Sequence, residues 1–262
     1  MAKAYERIAD DLRQRIRAGE LSPGDRLPAE TTLVEEYAKS LPTIRQALSL
    51  LQAEGLVEKQ HGRGNFVRRP RTPVRRSNLR HQWEKGRARD PEPDRAQTGA
   101  TEHDTGLEMS DLVFRAVYRE VPAEPEIAKE FGVPAGTTLV ERTYRTRYRV
   151  ENAPFTLVRS YLVRDMVAEN PALLDDSNEP WPGGTQSQLF TIGIELDRIE
   201  ELVTARPPTA EEAEELALPA GTAVIVMRKS SYDTDGRVVE HSEVILPGDR
   251  TEMLFTTHLE RW

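Results

Sequence analysis

The side chains of this 262-residue chain that are placed to do chemistry are mostly arginines and neutral hydrogen-bonding groups, and the chemistry they suit is binding. In "SLPTIRQAL", Ser40 to Leu48, the apolar residues Ile44, Ala47 and Leu48 fall at helical spacing with Leu51. That leaves Pro42, Thr43, Arg45, Gln46 and Ser49 on the remaining face, free to meet another molecule. Arg63 stands between Gly62 and Gly64 in "HGRG", at the tip of an expected hairpin where both glycines can take positive φ. Farther on, Arg145 and Arg147 are two apart on an expected strand and share a face. Paired guanidiniums suit bidentate capture of an anion; with the strand turned the other way, the same pair is simply solvated.

Catalytic chemistry finds little support. With no cysteine, disulfides, iron–sulfur clusters, cysteine-based zinc sites and thiol nucleophiles are excluded. His61, His81, His103, His241 and His258 are scattered, without the spacing of metal ligands, so no metal site is expected. No glycine-rich phosphate loop follows a strand. The expectation is a chain with no catalytic residues, no cofactor and no enzymatic activity.

The elements that must position the binding residues can be read around them. "YERIADDLRQRIRAGEL" sets Ile8, Leu12 and Ile16 on one helical stripe that stops at Gly19. "TTLVEEYAKS" predicts a second, shorter helix, with Thr32 and Glu35 at capping-box spacing. In the third helix Ser40 is the expected N-cap and Pro42 sits in the first turn, where a missing N–H costs little. "LVEKQHGRGNFVRR" then predicts two short strands. Three helices followed by a basic hairpin make a winged helix–turn–helix, whose last helix enters the major groove of DNA.

Charge agrees with this division. Residues 1–90 hold 19 Lys and Arg against 12 Asp and Glu, net +7, and the remaining 17 basic and 32 acidic residues give −15. From Lys59 to Arg89 there are eleven basic residues and one acid, Glu84, which suits phosphate contact that weakens steeply with salt. Residues 71–105, rich in Pro, Arg and Asp, are expected to be a basic linker with at most a short strand or helical turn near "LRHQW". No apolar run is long enough for a membrane span and the N-terminus lacks the pattern of a signal peptide, so a cytoplasmic protein is expected.

An internal repeat organises the rest. "IAKEFGVPAGT" from Ile127 and "EAEELALPAGT" from Glu212 match 85 residues apart, and each leads from a short helix through a Pro-Ala-Gly turn into a strand. Each strand reaches a turn, at "ENAP" and "TDGR", and returns as "FTLVRSYLV" or "VVEHSEVIL". Two helix–hairpin units predict an α+β domain on an antiparallel sheet.

The first 70 residues resemble the DNA-binding domain of the GntR family of bacterial transcription regulators. The elements "GELSPGDRLPAE", "TIRQAL", "LQAEGLV" and "GRGNFV" carry the resemblance. Two positions depart from it. Ala29 replaces the usual Ser ahead of the glutamate, and Leu41 replaces an expected DNA-contacting arginine; Leu41 either packs at the boundary or touches a thymine methyl. Residues 106–262 resemble the UTRA effector-sensing domain of the HutC subfamily, related in fold to chorismate lyase, through "VPAGT", "SYLV", "SQLF" before "GIEL", and "LPGDR".

The resemblance implies a multi-domain protein in which a homodimer holds palindromic double-stranded operator DNA, and a small effector, a phosphorylated sugar or another polar or anionic metabolite, modulates a repressor. It implies DNA contacts at Pro42, Thr43, Arg45, Gln46, Ser49, Arg63 and Gly64. Effector contacts fall at Arg145, Arg147, Tyr161, Ser187 and Glu240, with Arg142, Arg149, Arg159 and Glu243 as the alternatives under another register. Rival readings are a plasmid-maintenance or transfer-control DNA-binding protein without a ligand, and a lyase-like enzyme.

Overall fold

The computed structural model describes residues 3–151 and 153–259. The chain divides into two compact units, one formed by the residues up to Thr72 together with Pro207–Ala223, the other by Pro73–Arg206 and the chain from Val224 onward.

In the first unit α1 (Ala4–Arg17), α2 (Glu30–Tyr37) and α3 (Leu41–Ala53) are followed by the antiparallel pair β1 (Val57–Gln60) and β2 (Gly64–Val67). Ile8, Leu12, Leu33, Ile44, Ala47, Leu51, Val57 and Val67 close one apolar core. This is the winged helix–turn–helix expected from the spacing. The capping box expected at Thr32 and Glu35 does not form. α2 starts earlier, with Ala29 as an N-cap that has no side-chain bond and Leu33 N–H donating to the Ala29 carbonyl, so Thr32 already lies inside the helix.

The second unit opens with β3 (Val74–Ser77), α4 (Arg80–Arg87), α5 (Glu92–Arg95) and α6 (Ala100–Thr105). The expected linker over 71–105 is therefore mostly folded structure. Its anchor is β3, which pairs in parallel with the distant strand β10 and buries Val74 against Leu112, Tyr148 and Phe155.

The main sheet is built from β4 (Leu112–Pro122), β5 (Thr138–Tyr148), β6 (Thr156–Val163), β7 (Leu196–Arg206), β8 (Val224–Asp233) and β9 (Val238–Pro247), followed in the chain by β10 (Thr251–Leu254). Its order is β4-β5-β6-β9-β8-β7, with every neighbouring pair antiparallel. α7 (Pro125–Phe131) sits between β4 and β5, α8 (Arg164–Val167) and α9 (Gly184–Phe190) follow β6, and α10 (Ala210–Glu215) sits between β7 and β8.

The repeat is visible as strand–helix–strand–strand twice, with the return strands β6 and β9 meeting at the centre. The "ENAP" turn includes Asn152, which lies outside the described residues. Both sheet faces are covered. Ala128, Phe131, Leu139 and Tyr161 pack on the α7 side, while Val140, Leu162, Val167 and Leu189 pack under α8 and α9. α10 and its Pro-Ala-Gly turn group with the first unit, where Arg71 donates to the Leu216 and Ala217 carbonyls at 3.2 and 3.1 Å. Gly221 has φ +82°, and a Cβ there would stand 2.7 Å from the Ala53 carbonyl oxygen, so only glycine fits.

Candidate nucleic-acid interface and effector site

In the first unit the recognition surface follows from how α3 is held. Ser40 is the extended N-cap residue (φ −65°, ψ 151°), and its Oγ bonds Thr43 Oγ1 at 2.9 Å rather than a backbone N–H. Ile44, Ala47 and Leu51 are fully buried, which turns Pro42, Arg45, Gln46 and Ser49 to solvent, with Thr43 half-buried at the edge. Leu41 is half-buried. Arg45 Nε lies 2.8 Å from Glu30 Oε2, yet its side chain remains 63% exposed. An exposed pair of this kind contributes about 0–1 kcal/mol, so the guanidinium can be released to a phosphate or base edge at small cost.

The wing is tied to the same helix. Gln52 Nε2 donates to the buried Asn65 Oδ1 at 3.0 Å, a link between α3 and β2 that no local pattern announced. Gly62 and Gly64 take φ of +71° and +119°, and the exposed Arg63 lies over the Phe66 ring at 5.6 Å. Not every cation on this unit faces outward for a polyanion: Arg13 is engaged with Asp10 and Glu54, and Arg15 with Glu36.

In the second unit the α9-covered face of the sheet carries a buried polar network. Arg142 on β5 stands opposite Ser160 on β6, Ser160 opposite Ser242 on β9, and Ser242 opposite Lys229 on β8. Arg142 donates to Gln188 Oε1 at 2.6 Å, Ser160 Oγ at 2.8 Å and Glu240 Oε1 at 2.9 Å. Ser160 Oγ also donates to Glu240 Oε1, and Lys229 Nζ lies 2.9 Å from Glu240 Oε2. A second carboxylate, Glu179, accepts from Tyr118, Tyr144 and Gln188.

Burial pushes the Glu240 carboxyl up, but Lys229 and Arg142 outweigh it and hold the group down at about 2. The same burial raises the Tyr118 hydroxyl to about 12, so it serves as a hydrogen-bond donor at neutral pH. A cavity of about 170 Å³ opens beside the network, walled by Tyr144, Ser160, Thr185, Lys229 and Glu240 from the sheet and α9, and by Arg76, Arg80, His81 and Glu84 from the segment before it. Beside the apolar Val158, Met227 and Val244, most of the wall groups offer a hydrogen bond or a charge, a lining that suits a small hydrophilic ligand.

Of the residues expected to contact an effector, Glu240 and Ser187 lie on this side of the sheet. Ser187 is fully buried in α9 and its Oγ has no hydrogen-bond partner among the described residues. Arg145, Arg147 and Tyr161 do not join them. Alternation along β5 and β6 puts them on the other side, where Tyr161 donates to Glu141 and packs near α7, and Arg147 donates to the Glu151 carbonyl. Of the alternatives, Arg142 belongs to the network, whereas Arg149 donates to the Ser110 carbonyl and Arg159 and Glu243 form exposed pairs with Glu141 and Arg228.

Arg76, Arg80, His81 and Glu84 went unrecognised because they lay in the supposed linker. The one available signal was the His81–Glu84 spacing of three within "HQWEKGR", which places both on one side of a helical turn. Among the described residues no cluster of His, Cys, Asp and Glu is arranged to hold a metal ion.

Comparison with known proteins covers both parts of the chain. Residues 4–67 match the model of bacterial regulatory proteins of the gntR family, and residues 116–252 match the UTRA domain. An uncharacterized HTH-type transcriptional regulator of Streptomyces coelicolor is 30% identical, over 95% of this chain and 90% of its own length. The HTH-type transcriptional repressor NagR of Bacillus subtilis is 26% identical, over 94% and 91%, and the histidine utilization repressor of Klebsiella aerogenes 25%, over 95% and 92%. A crystal structure of a protein assigned to the GntR family superposes with a TM-score of 0.65 at 26% identity, covering 98% of both chains. That of PhnF from Mycobacterium smegmatis gives 0.52 at 21% identity, covering 96% of this chain and 99% of that one, and shares the fold. With a winged helix whose third helix presents a polar face, and a sheet domain enclosing a polar cavity, the chain belongs to the gntR family of bacterial regulatory proteins and is a DNA-binding transcriptional regulator of the UTRA-containing, HutC type.

Proposed function

We propose that the chain is a cytoplasmic repressor that binds a palindromic operator as a homodimer and is controlled by a small polar or anionic metabolite, a phosphorylated sugar among the candidates, held in the cavity under α9. It binds its ligand without turning it over. The DNA contacts are Pro42, Thr43, Arg45, Gln46 and Ser49 on α3, with Arg63 and Gly64 on the wing. Ser187 and Glu240 serve the effector side. The observation that carries the reading is the anchoring of α3: three fully buried residues fix the helix so that Pro42, Arg45, Gln46 and Ser49 face solvent, with Arg45 held in an exposed pair with Glu30.

Repression is supported by the relatives, since the proteins from Bacillus subtilis and Klebsiella aerogenes are both named repressors. A ligand can move the operator equilibrium only by binding one arrangement of the DNA-binding heads better than the other. Footprinting the full chain on its own promoter region, followed by titration of the complex with a metabolite panel, tests this. The expected result is a protected inverted repeat released by one metabolite class. Binding without sequence preference, or an operator complex indifferent to every metabolite, would contradict it.

A further inference from the structure

Within the cavity one charge stands apart. Arg80 is matched by Asp104 at 2.5 Å, His81 by Glu201 at 2.9 Å, and Lys229 by Glu240 at 2.9 Å. The side chain of Arg76, on β3, makes no hydrogen bond and no ion pair among the described residues, although it lines the same cavity. A guanidinium is always charged in a protein and carries five N–H donors, so one placed in protein surroundings without an acceptor is an unmet demand for an anion. Burial, joined by the like charge of Arg80, pulls Arg76 down to about 10 against the weaker pull of Asp104, Glu201 and Glu84.

We propose that Arg76 is the receptor for an oxyanion, a phosphate or carboxylate group carried by a small hydrophilic effector. The proposal rests on the cavity being the effector site. Around Arg76, Ser160, Thr185 and Ser242 offer hydroxyl groups, and Glu84 and Glu201 accept from hydroxyls or an amine elsewhere on the ligand. The volume of about 170 Å³ falls below the roughly 300 Å³ at which drug-sized pockets begin, so the ligand is a small metabolite.

Arg76 belongs to neither matched stretch, 4–67 or 116–252, so this anion specificity is written in a segment that the two domain families do not cover. Its strand is also the first element beyond the division at Thr72, and Val74 N–H is bonded to the Arg250 carbonyl at 2.7 Å. An anion that engages Arg76 therefore acts on the strand that continues directly from the DNA-binding unit.

The test is calorimetric titration of the full chain with inorganic phosphate and, separately, with acetate, comparing the natural protein with Arg76→Gln, Arg76→Lys and Arg75→Gln. Arg75 is an exposed neighbour paired with Glu252, so its substitution makes the same change in net charge away from the cavity. Saturable binding of one of the two anions is expected, lost at least tenfold in Arg76→Gln, kept within twofold in Arg75→Gln and intermediate in Arg76→Lys. Which anion binds separates a phosphorylated effector from a carboxylate. Should Arg76→Gln fail to fold, Arg76→Lys decides: affinity unchanged within twofold refutes the proposal.

Equal binding by the natural protein and Arg76→Gln, or binding of neither anion, also overturns it. Operator affinity measured on the same samples separates this failure from failure of the regulatory reading. Anion binding absent from the natural protein, or unchanged in Arg76→Gln, with sequence-specific DNA binding intact condemns only the receptor assignment, whereas absence of sequence-specific binding condemns the broader function.

Discussion

Replacing Glu240 with glutamine keeps the shape of the side chain and removes its charge, leaving Arg142 and Lys229 facing a neutral amide in a site where Glu240 is only 4% exposed. The carboxyl is held near 2 in the folded chain, against 4.5 for its ordinary value. At about 1.4 kcal/mol for each unit, ionisation of Glu240 stabilises the sheet domain by about 3 kcal/mol at pH 7, of the order expected for breaking a buried pair. Because the folded value is the depressed one, this contribution is complete above about pH 5 and disappears as pH falls through about 2, leaving about 1 kcal/mol at pH 3.

Trp83 and Trp181 belong to the second unit and the sequence of the first unit holds no tryptophan, so urea unfolding followed by tryptophan fluorescence reports on the second unit separately from the DNA-binding unit. The natural protein and Glu240→Gln should differ by about 3 kcal/mol at pH 7, a gap that narrows to about 1 kcal/mol at pH 3. A difference below about 1 kcal/mol at pH 7, or one that does not shrink in acid, would refute the view that Arg142 and Lys229 jointly hold an ionised Glu240.

Two further substitutions probe the supports of each surface. Arg63→Ala should weaken operator binding roughly uniformly across sequences and lower the magnitude of the salt slope by about 1, read from affinity against salt concentration; an unchanged slope would remove the wing tip from the phosphate contacts. Leu189→Ala empties a fully buried position in the core beneath α9 and should cost about 2–5 kcal/mol in the same fluorescence assay, with a loss below about 1 kcal/mol indicating that α9 is not packed as described.

The parts legible from sequence were those governed by local periodicity and turn chemistry. Ile44, Ala47, Leu48 and Leu51 have helical spacing and are all buried, and Gly62 and Gly64 open the wing turn with positive φ. The Pro-Ala-Gly repeats likewise preceded β5 and β8 as expected. What escaped depended on distant partners. β3 is too short to announce itself, and the strand that stabilises it starts at Thr251, far along the chain.

The sidedness of β5 was hidden for a related reason. Spacing of two says that Arg145 and Arg147 share a face, but with the sheet covered on both sides it does not say which face lies under α9. The decision comes from Ser160 and Glu240, whose hydroxyl and carboxylate draw Arg142 inward. The Thr32–Glu35 pair shows the same limit at a helix end: the spacing was right, and the chain entered α2 before reaching it.

The most direct test of the account is the equilibrium affinity of the full chain for its footprinted operator, compared with Arg45→Ala. Arg45 is largely exposed and its side chain pairs with Glu30 alone among the described residues, so the substitution should leave folding stability within about 0.5 kcal/mol. Loss of a base contact or a tight phosphate contact is worth about 1–3 kcal/mol, a weakening of roughly five- to 150-fold. Affinity within twofold of the natural protein would contradict the claim that the exposed face of α3 reads the DNA.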